Sequence, residues 1–128
     1  MGARMAVIAS FRDLKVWKKA IDLGETAYAL TVLLPRDQQY ELAAQIRRAA
    51  ASVPANIAEG HNRRARRAYA NHIAIALGSL AELESHVELA NRLGLVDAAQ
   101  AQRLLAQAGE VNRMLHALAR ALSAPRRE

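Results

Sequence analysis

The chain has 128 residues and a formal net charge of +6. It contains no cysteine, which excludes disulfide and thiolate chemistry, and no apolar run reaches the roughly 18–20 residues of a membrane span. Hydrophobic residues make up 52% of the chain but aromatics only 4%, so alanine and leucine must carry the core; such a composition favours helices and starves a β-sheet.

The length suits one domain, 1–128, large enough to bury a core without staples. The cysteine-free composition fits a reducing cytoplasm. The opening "MGARMAVIAS" is too short for a signal peptide and lacks a cleavage pattern. Met5 is a candidate natural start.

Apolar residues at alternating spacings of three and four predict four helices. The first, about 11–33, carries the stripe Leu14, Trp17, Ile21, Gly24, Tyr28 and Thr31. Ser10 and Asp13 suggest a capping box before it, and Pro35 marks its end. The second, about 37–59, carries Leu42, Ile46, Ala49, Val53 and Ile57, with Gly60 as its C-terminal stop. The third, about 63–93, carries Tyr69, Ile73, Ala76, Leu80, Leu83, Val87 and Ala90 and stops at Gly94. The fourth, about 97–123, opens on a capping box of Asp97 and Gln100. It carries Ala101, Leu104, Ala108, Val111, Leu115, Leu118 and Leu122. The tail "APRRE" reads as frayed. Short connections make neighbours antiparallel, so the expected fold is all-α: an up-down four-helix bundle.

Three features lie off this pattern. Pro54 sits inside the second helix, where it removes a backbone hydrogen bond and presses on the carbonyl of Ala50. It implies one kinked helix, or else a loop at Ser52 followed by a short new helix. Gly78, inside the third helix, suggests close approach by another helix. Ile75, Leu77 and Leu89 fall off the core stripe of that helix and suggest contacts between subunits.

The charge is uneven. Residues 1–70 hold twelve basic and six acidic residues, whereas residues 71–128 hold six of each. Arg63, Arg64, Arg66 and Arg67 crowd the predicted start of the third helix, where the dipole disfavours cations. In an up-down bundle that turn shares one end with Arg12, Lys15, Arg120, Arg126 and Arg127. The other end holds Asp37, Glu41, Glu88 and Asp97. A basic end of this kind suits phosphate backbones; a solvated face is the bland alternative.

Little supports catalysis. A di-iron bundle needs Glu-x-x-His pairs, but Leu83 precedes His86 and Arg113 precedes His116 at that spacing. His72 and His86 are about 21 Å apart along a helix, too far to share a metal. The four histidines read as solvated surface residues. There is no glycine-rich phosphate loop, and Ser79 lacks an orienting base. No enzyme activity, metal or cofactor is expected.

One stretch is more specific: Gln45, Arg47, Arg48, Ser52, Val53, Pro54, Asn56, Ile57, Ala58, Glu59 and Gly60, followed by Ala76, Gly78, Ser79, Leu80, Glu82 and Leu83. Together with "FRDLKVWKKAIDL" it resembles, over about residues 11–94, the family first noticed in intervening sequences of bacterial 23S ribosomal RNA genes, also labelled S23 ribosomal proteins. The accessory protein of diversity-generating retroelements is similar. The resemblance implies an antiparallel four-helix bundle assembling into a ring, typically a homopentamer, without catalytic activity. It also implies RNA or DNA and a reverse transcriptase as partners. The chain departs from the family's Arg-x-Ser-x-x-Glu entry to the third helix, reading Arg64, Ala65, Arg66, Arg67 and Ala68 there. The alternative is a protein–protein scaffold whose basic end meets an acidic protein surface.

Overall fold

The computed structural model describes residues 10–125. Four α-helices follow one another: α1 Lys15–Val32, α2 Leu42–His61, α3 Arg66–Arg92 and α4 Ala98–Ser123. Single 3-10 turns, Phe11–Asp13 and Arg36–Gln38, precede α1 and α2. Each helix packs on its chain neighbours and α4 closes on α1, while the diagonal pairs make at most marginal contact. The α2–α3 seam is the most extensive.

The core is aliphatic. The stripes expected of α2 and α3 are buried from Leu42 to Ile57 and from Ile73 to Ala90; on α4, Ala101 to Leu115 are buried. Tyr69, Leu118 and Leu122 pack at its edge, half-buried. The first helix differs from expectation. Its buried face is Val16, Ala20, Leu23, Ala27, Leu30 and Thr31, rotated from the expected stripe. Two apolar stripes run side by side on α1. The one with small alanines enters the core, where helices pack closely; Trp17, Ile21 and Gly24 are half-exposed and Tyr28 is exposed.

The helix ends also correct several expectations. Ser10 Oγ accepts from the Arg12 amide at 3.1 Å, so it caps the 3-10 turn. Leu14 precedes α1 without a side-chain cap, and Asp97 precedes α4 in extended conformation without a capping bond. α2 runs unbroken through Pro54, with no loop at Ser52. It also runs through Gly60 to His61. Gly94 does end α3 at φ +72°, with the Leu95 amide reaching back to the Ala90 carbonyl at 2.9 Å. At the other end of the bundle, Gln39 Nε2 donates to the carbonyls of Thr31 and Leu34, both at 2.9 Å. Arg47 donates to the Gln39 carbonyl at 3.1 Å, tying α2 to the end of α1. Met5 and the tail residues 126–128 lie outside the described residues.

Gly60 acts as a spacer and not as a cap. A Cβ there would lie 2.8 Å from His72 Cβ and 3.0 Å from Tyr69 Cδ1. Its missing side chain lets α2 and α3 approach closely next to their connecting turn.

Candidate nucleic-acid interface

The antiparallel arrangement gathers the start of α1, the α2–α3 turn and the end of α4 at one end of the bundle. The arginines there have different duties. Arg63 and Arg64 lie in the connecting turn, because Ala65 keeps an extended backbone (φ −81°, ψ 129°) and α3 begins only at Arg66. Arg63 pairs with Glu59 Oε2 at 3.1 Å, the i, i+4 pair across the turn. Arg66 donates to the carbonyls of Ala121, at 2.6 Å, and Ala124, at 3.3 Å. It supplies a cationic cap to the carbonyl end of α4, where positive charge is favourable. Arg12 lies over the Phe11 ring, 4.5 Å from its centroid, and Phe11 meets Trp17 edge-on at 5.2 Å.

Arg64, Arg67, Lys15 and Arg120 are exposed, and none makes an ion pair among the described residues. The first turn of α3 holds no acidic residue. The cations available to an outside anion are therefore Arg64, Arg67, Lys15 and Arg120, with Arg12 beside them. Arg126 and Arg127 lie outside the described residues.

Behind this end, the α2–α3 seam carries a polar chain that the sequence did not reveal. Ser79 Oγ and Ser52 Oγ are 2.8 Å apart. Asn56 Nδ2 donates to the Ser52 carbonyl at 2.9 Å and to its Oγ at 3.1 Å. That commits the amide nitrogen and leaves Asn56 Oδ1 to face His72 Nδ1 at 3.1 Å, so the ring donates from Nδ1. His72 Nε2 lies 3.9 Å from Glu59 Oε2, the carboxylate that also holds Arg63. The hydrogen-bonded chain thus runs from Ser79 to His72, which stands beside the Glu59 carboxylate that holds Arg63.

The histidines correct the expectation of a solvated set. His61, His72 and His86 are half-buried and only His116 is exposed. His61 meets Tyr69 edge-on at 6.0 Å, and burial pushes the Tyr69 phenol above its ordinary pKa. Spacing alone marks Ser52 and Asn56 as one face of a helix. That His72 and Ser79 sit opposite them depends on helix register, which no local pattern encodes.

The residues expected at a subunit interface separate. Ile75 and Leu89 are 45% and 47% exposed and share one flank of α3. Leu77 is half-buried and packs against the core. At the end opposite the arginines, Tyr40 is 94% exposed and Leu93 60%. Among the described residues no helix is long and apolar enough to cross a membrane.

The model of the 23S rRNA-intervening sequence protein family matches residues 12–117. No curated protein matches the chain. A crystal structure of a protein of unknown function from the S23 ribosomal protein family of Bacteroides thetaiotaomicron is similar. It superposes with a TM-score of 0.77 at 25% identity, covering 82% of this chain and 95% of that one. The match spans all four helices and both segments that meet in the Ser52–Ser79 seam, and on it the chain belongs to the 23S rRNA-intervening sequence protein family.

Proposed function

We propose that the protein is a non-enzymatic, ring-forming module of the cytoplasm that binds the phosphate backbone of RNA or DNA through its basic end. The observation that carries this reading is the set of exposed cations, Arg64, Arg67, Lys15 and Arg120, brought to one end from three parts of the chain; Asp13 and Glu59 stand at the same end, and among the described residues neither pairs with any of the four. Guanidinium groups suit phosphate because they offer two parallel donors. A cyclic homo-oligomer, a pentamer on the family resemblance, would set one basic end per subunit on a common rim. That resemblance also supports a role as accessory factor to a reverse transcriptase.

Aromatic side chains are scarce at this end: Phe11 is engaged by Arg12 and Trp17, and Tyr69 is half-buried. Base stacking therefore contributes little, and binding is electrostatic and weakly sequence-selective. Titration of the protein with RNA and duplex DNA across a salt series tests this. A protein–protein scaffold is the second reading, with the basic end against an acidic protein surface. The exposed Tyr40 and Leu93 at the opposite end favour a protein partner. Salt-sensitive binding to nucleic acid in the absence of any other protein separates the two.

A further inference from the structure

His72 is held on one side and open on the other. Its Nδ1 donates to Asn56 Oδ1 at 3.1 Å, and the Asn56 amide is itself fixed by the Ser52 carbonyl and hydroxyl. Gly60 lets the two helices close on the ring, since a Cβ there would lie 2.8 Å from His72 Cβ. With the proton on Nδ1, a neutral ring keeps a bare lone pair on Nε2. That nitrogen lies 3.9 Å from Glu59 Oε2. Two acceptors then face each other, and neither holds the other.

Glu59 has a cation of its own. The same Oε2 accepts from Arg63 at 3.1 Å. The side chains of Arg63 and Glu59 are 51% and 55% exposed, whereas that of His72 is 15% exposed. An exposed pair of this kind is weak. The histidine is therefore the fixed member of the trio, and Glu59 is the one able to move. While the ring is neutral, the charges of Arg63 and Glu59 cancel. A proton on Nε2 turns it into a donor beside Glu59, gives the trio a net positive charge and loosens the hold on Arg63. Histidine is the side chain that ordinarily gains such a proton between about pH 5 and 8.

The surroundings of the ring leave this exchange to Glu59. Among the described residues His72 pairs with no other carboxylate, so neither α1 nor α4 supplies it an ion-pair partner. On α3, Tyr69 lies one turn before it, and His61 of α2 meets the Tyr69 ring edge-on at 6.0 Å. Arg66 is committed to the carbonyls of Ala121 and Ala124. Arg63 adjoins Arg64 in the connecting turn, so a released guanidinium joins the exposed cations of the basic end.

We propose that His72 is a proton-driven gate on the basic end: once protonated it takes Glu59 from Arg63, and Arg63 becomes a further ligand for backbone phosphate. By linkage, phosphate binding in turn favours the protonated ring. This rests on the phosphate-binding reading above and adds its regulation by pH.

Binding of a labelled duplex DNA is measured by fluorescence anisotropy across a salt series at about pH 8 and about pH 5.5, the two sides of the ordinary histidine range. The parent is expected to bind several-fold more tightly at the lower pH. Its slope of log affinity against log salt should steepen there by about 0.9 for each engaged subunit. His72→Gln should match the parent at the higher pH and fall behind it at the lower. The other histidines titrate in both proteins, so the difference between the two belongs to His72. Glu59→Gln, a change at a half-exposed residue, should bind at the higher pH as tightly as the parent does at the lower. Adding Arg63→Gln to it should abolish that gain. Circular dichroism checks each fold; should His72→Gln lose its helices, the two Glu59→Gln variants decide alone. Equal responses to pH in His72→Gln and the parent overturn the gate. So does a Glu59→Gln affinity unchanged at the higher pH, or a gain that survives Arg63→Gln. If the parent binds duplex DNA at neither pH, the phosphate-binding reading fails and the gate with it. Binding that Arg64→Gln/Arg67→Gln weakens but that pH leaves unchanged defeats the gate alone.

Discussion

Arg66 reaches from the first turn of α3 to the carbonyl of Ala121 in the last turns of α4, 2.6 Å away. The cation at the unfavourable end of one helix dipole is thereby placed at the favourable end of another. Its neighbours Arg64 and Arg67 have no such partner. Arg66→Gln is expected to lower stability by about 0.5–1.5 kcal/mol, the net worth of a hydrogen bond with some dipole compensation. Arg64→Gln and Arg67→Gln should leave urea midpoints unchanged. Equal effects from all three would remove the distinction between the structural arginine and the exposed ones.

Gly60 is expected to be the least replaceable glycine. Alanine there must displace His72 or Tyr69, and overpacking of this kind typically costs about 1–3 kcal/mol. Gly24→Ala and Gly78→Ala meet open space and should raise the helicity of an isolated protomer. Thermal melts of the three alanine variants at low protein concentration give the comparison. A Gly60→Ala variant as stable as the parent would contradict the spacer role.

Asn56 joins Ser52 to His72. Asn56→Ala leaves the Ser52 carbonyl and the ring Nδ1 without that partner in a half-buried seam, at a cost of about 1–3 kcal/mol. The change should appear in the urea midpoint with an unaltered slope. A change within error would mean that water replaces the amide.

Glu84 gives a pH signature. Burial first, and then the charge of Glu88, raise its carboxyl above the usual range. A carboxyl that holds its proton more tightly folded than unfolded favours the fold below the ordinary carboxylate pKa. That contribution is lost as pH rises through the raised value. The melting temperature of the parent should therefore fall, relative to Glu84→Gln, as pH climbs through that window. Parallel curves would show that the Glu84 environment is no different from water.

Much of the bundle is legible in the chain because helix periodicity is a local signal. The stripes from Leu42 to Ile57 and from Ile73 to Ala90 enter the core as spaced. α1 misleads because hydrophobicity ranks Trp17, Ile21 and Tyr28 above Ala20 and Ala27, whereas close helix packing favours the small residues. Gly60 misleads for a related reason. Glycine after a periodic run suggests a cap, and only the positions of His72 and Tyr69 reveal a spacer. At the basic end, composition locates the arginines but not their partners. Arg66 and Ala121 are 55 residues apart, and nothing local distinguishes Arg66 from Arg67.

The most direct test of nucleic-acid binding through the basic end compares the parent with Arg64→Gln/Arg67→Gln, which spares the Arg66 cap and the Arg63–Glu59 pair. Affinity for duplex DNA and for RNA is measured by fluorescence anisotropy across a salt series, with circular dichroism confirming the fold. Each phosphate contact on duplex DNA adds about −0.9 to the slope of log affinity against log salt. Loss of two contacts in each subunit should weaken binding at low salt and flatten that slope by about 1.8 or more, that is, two contacts at about 0.9 each. Equal affinity and equal slope for the variant and the parent would mean that these arginines are only a solvated face.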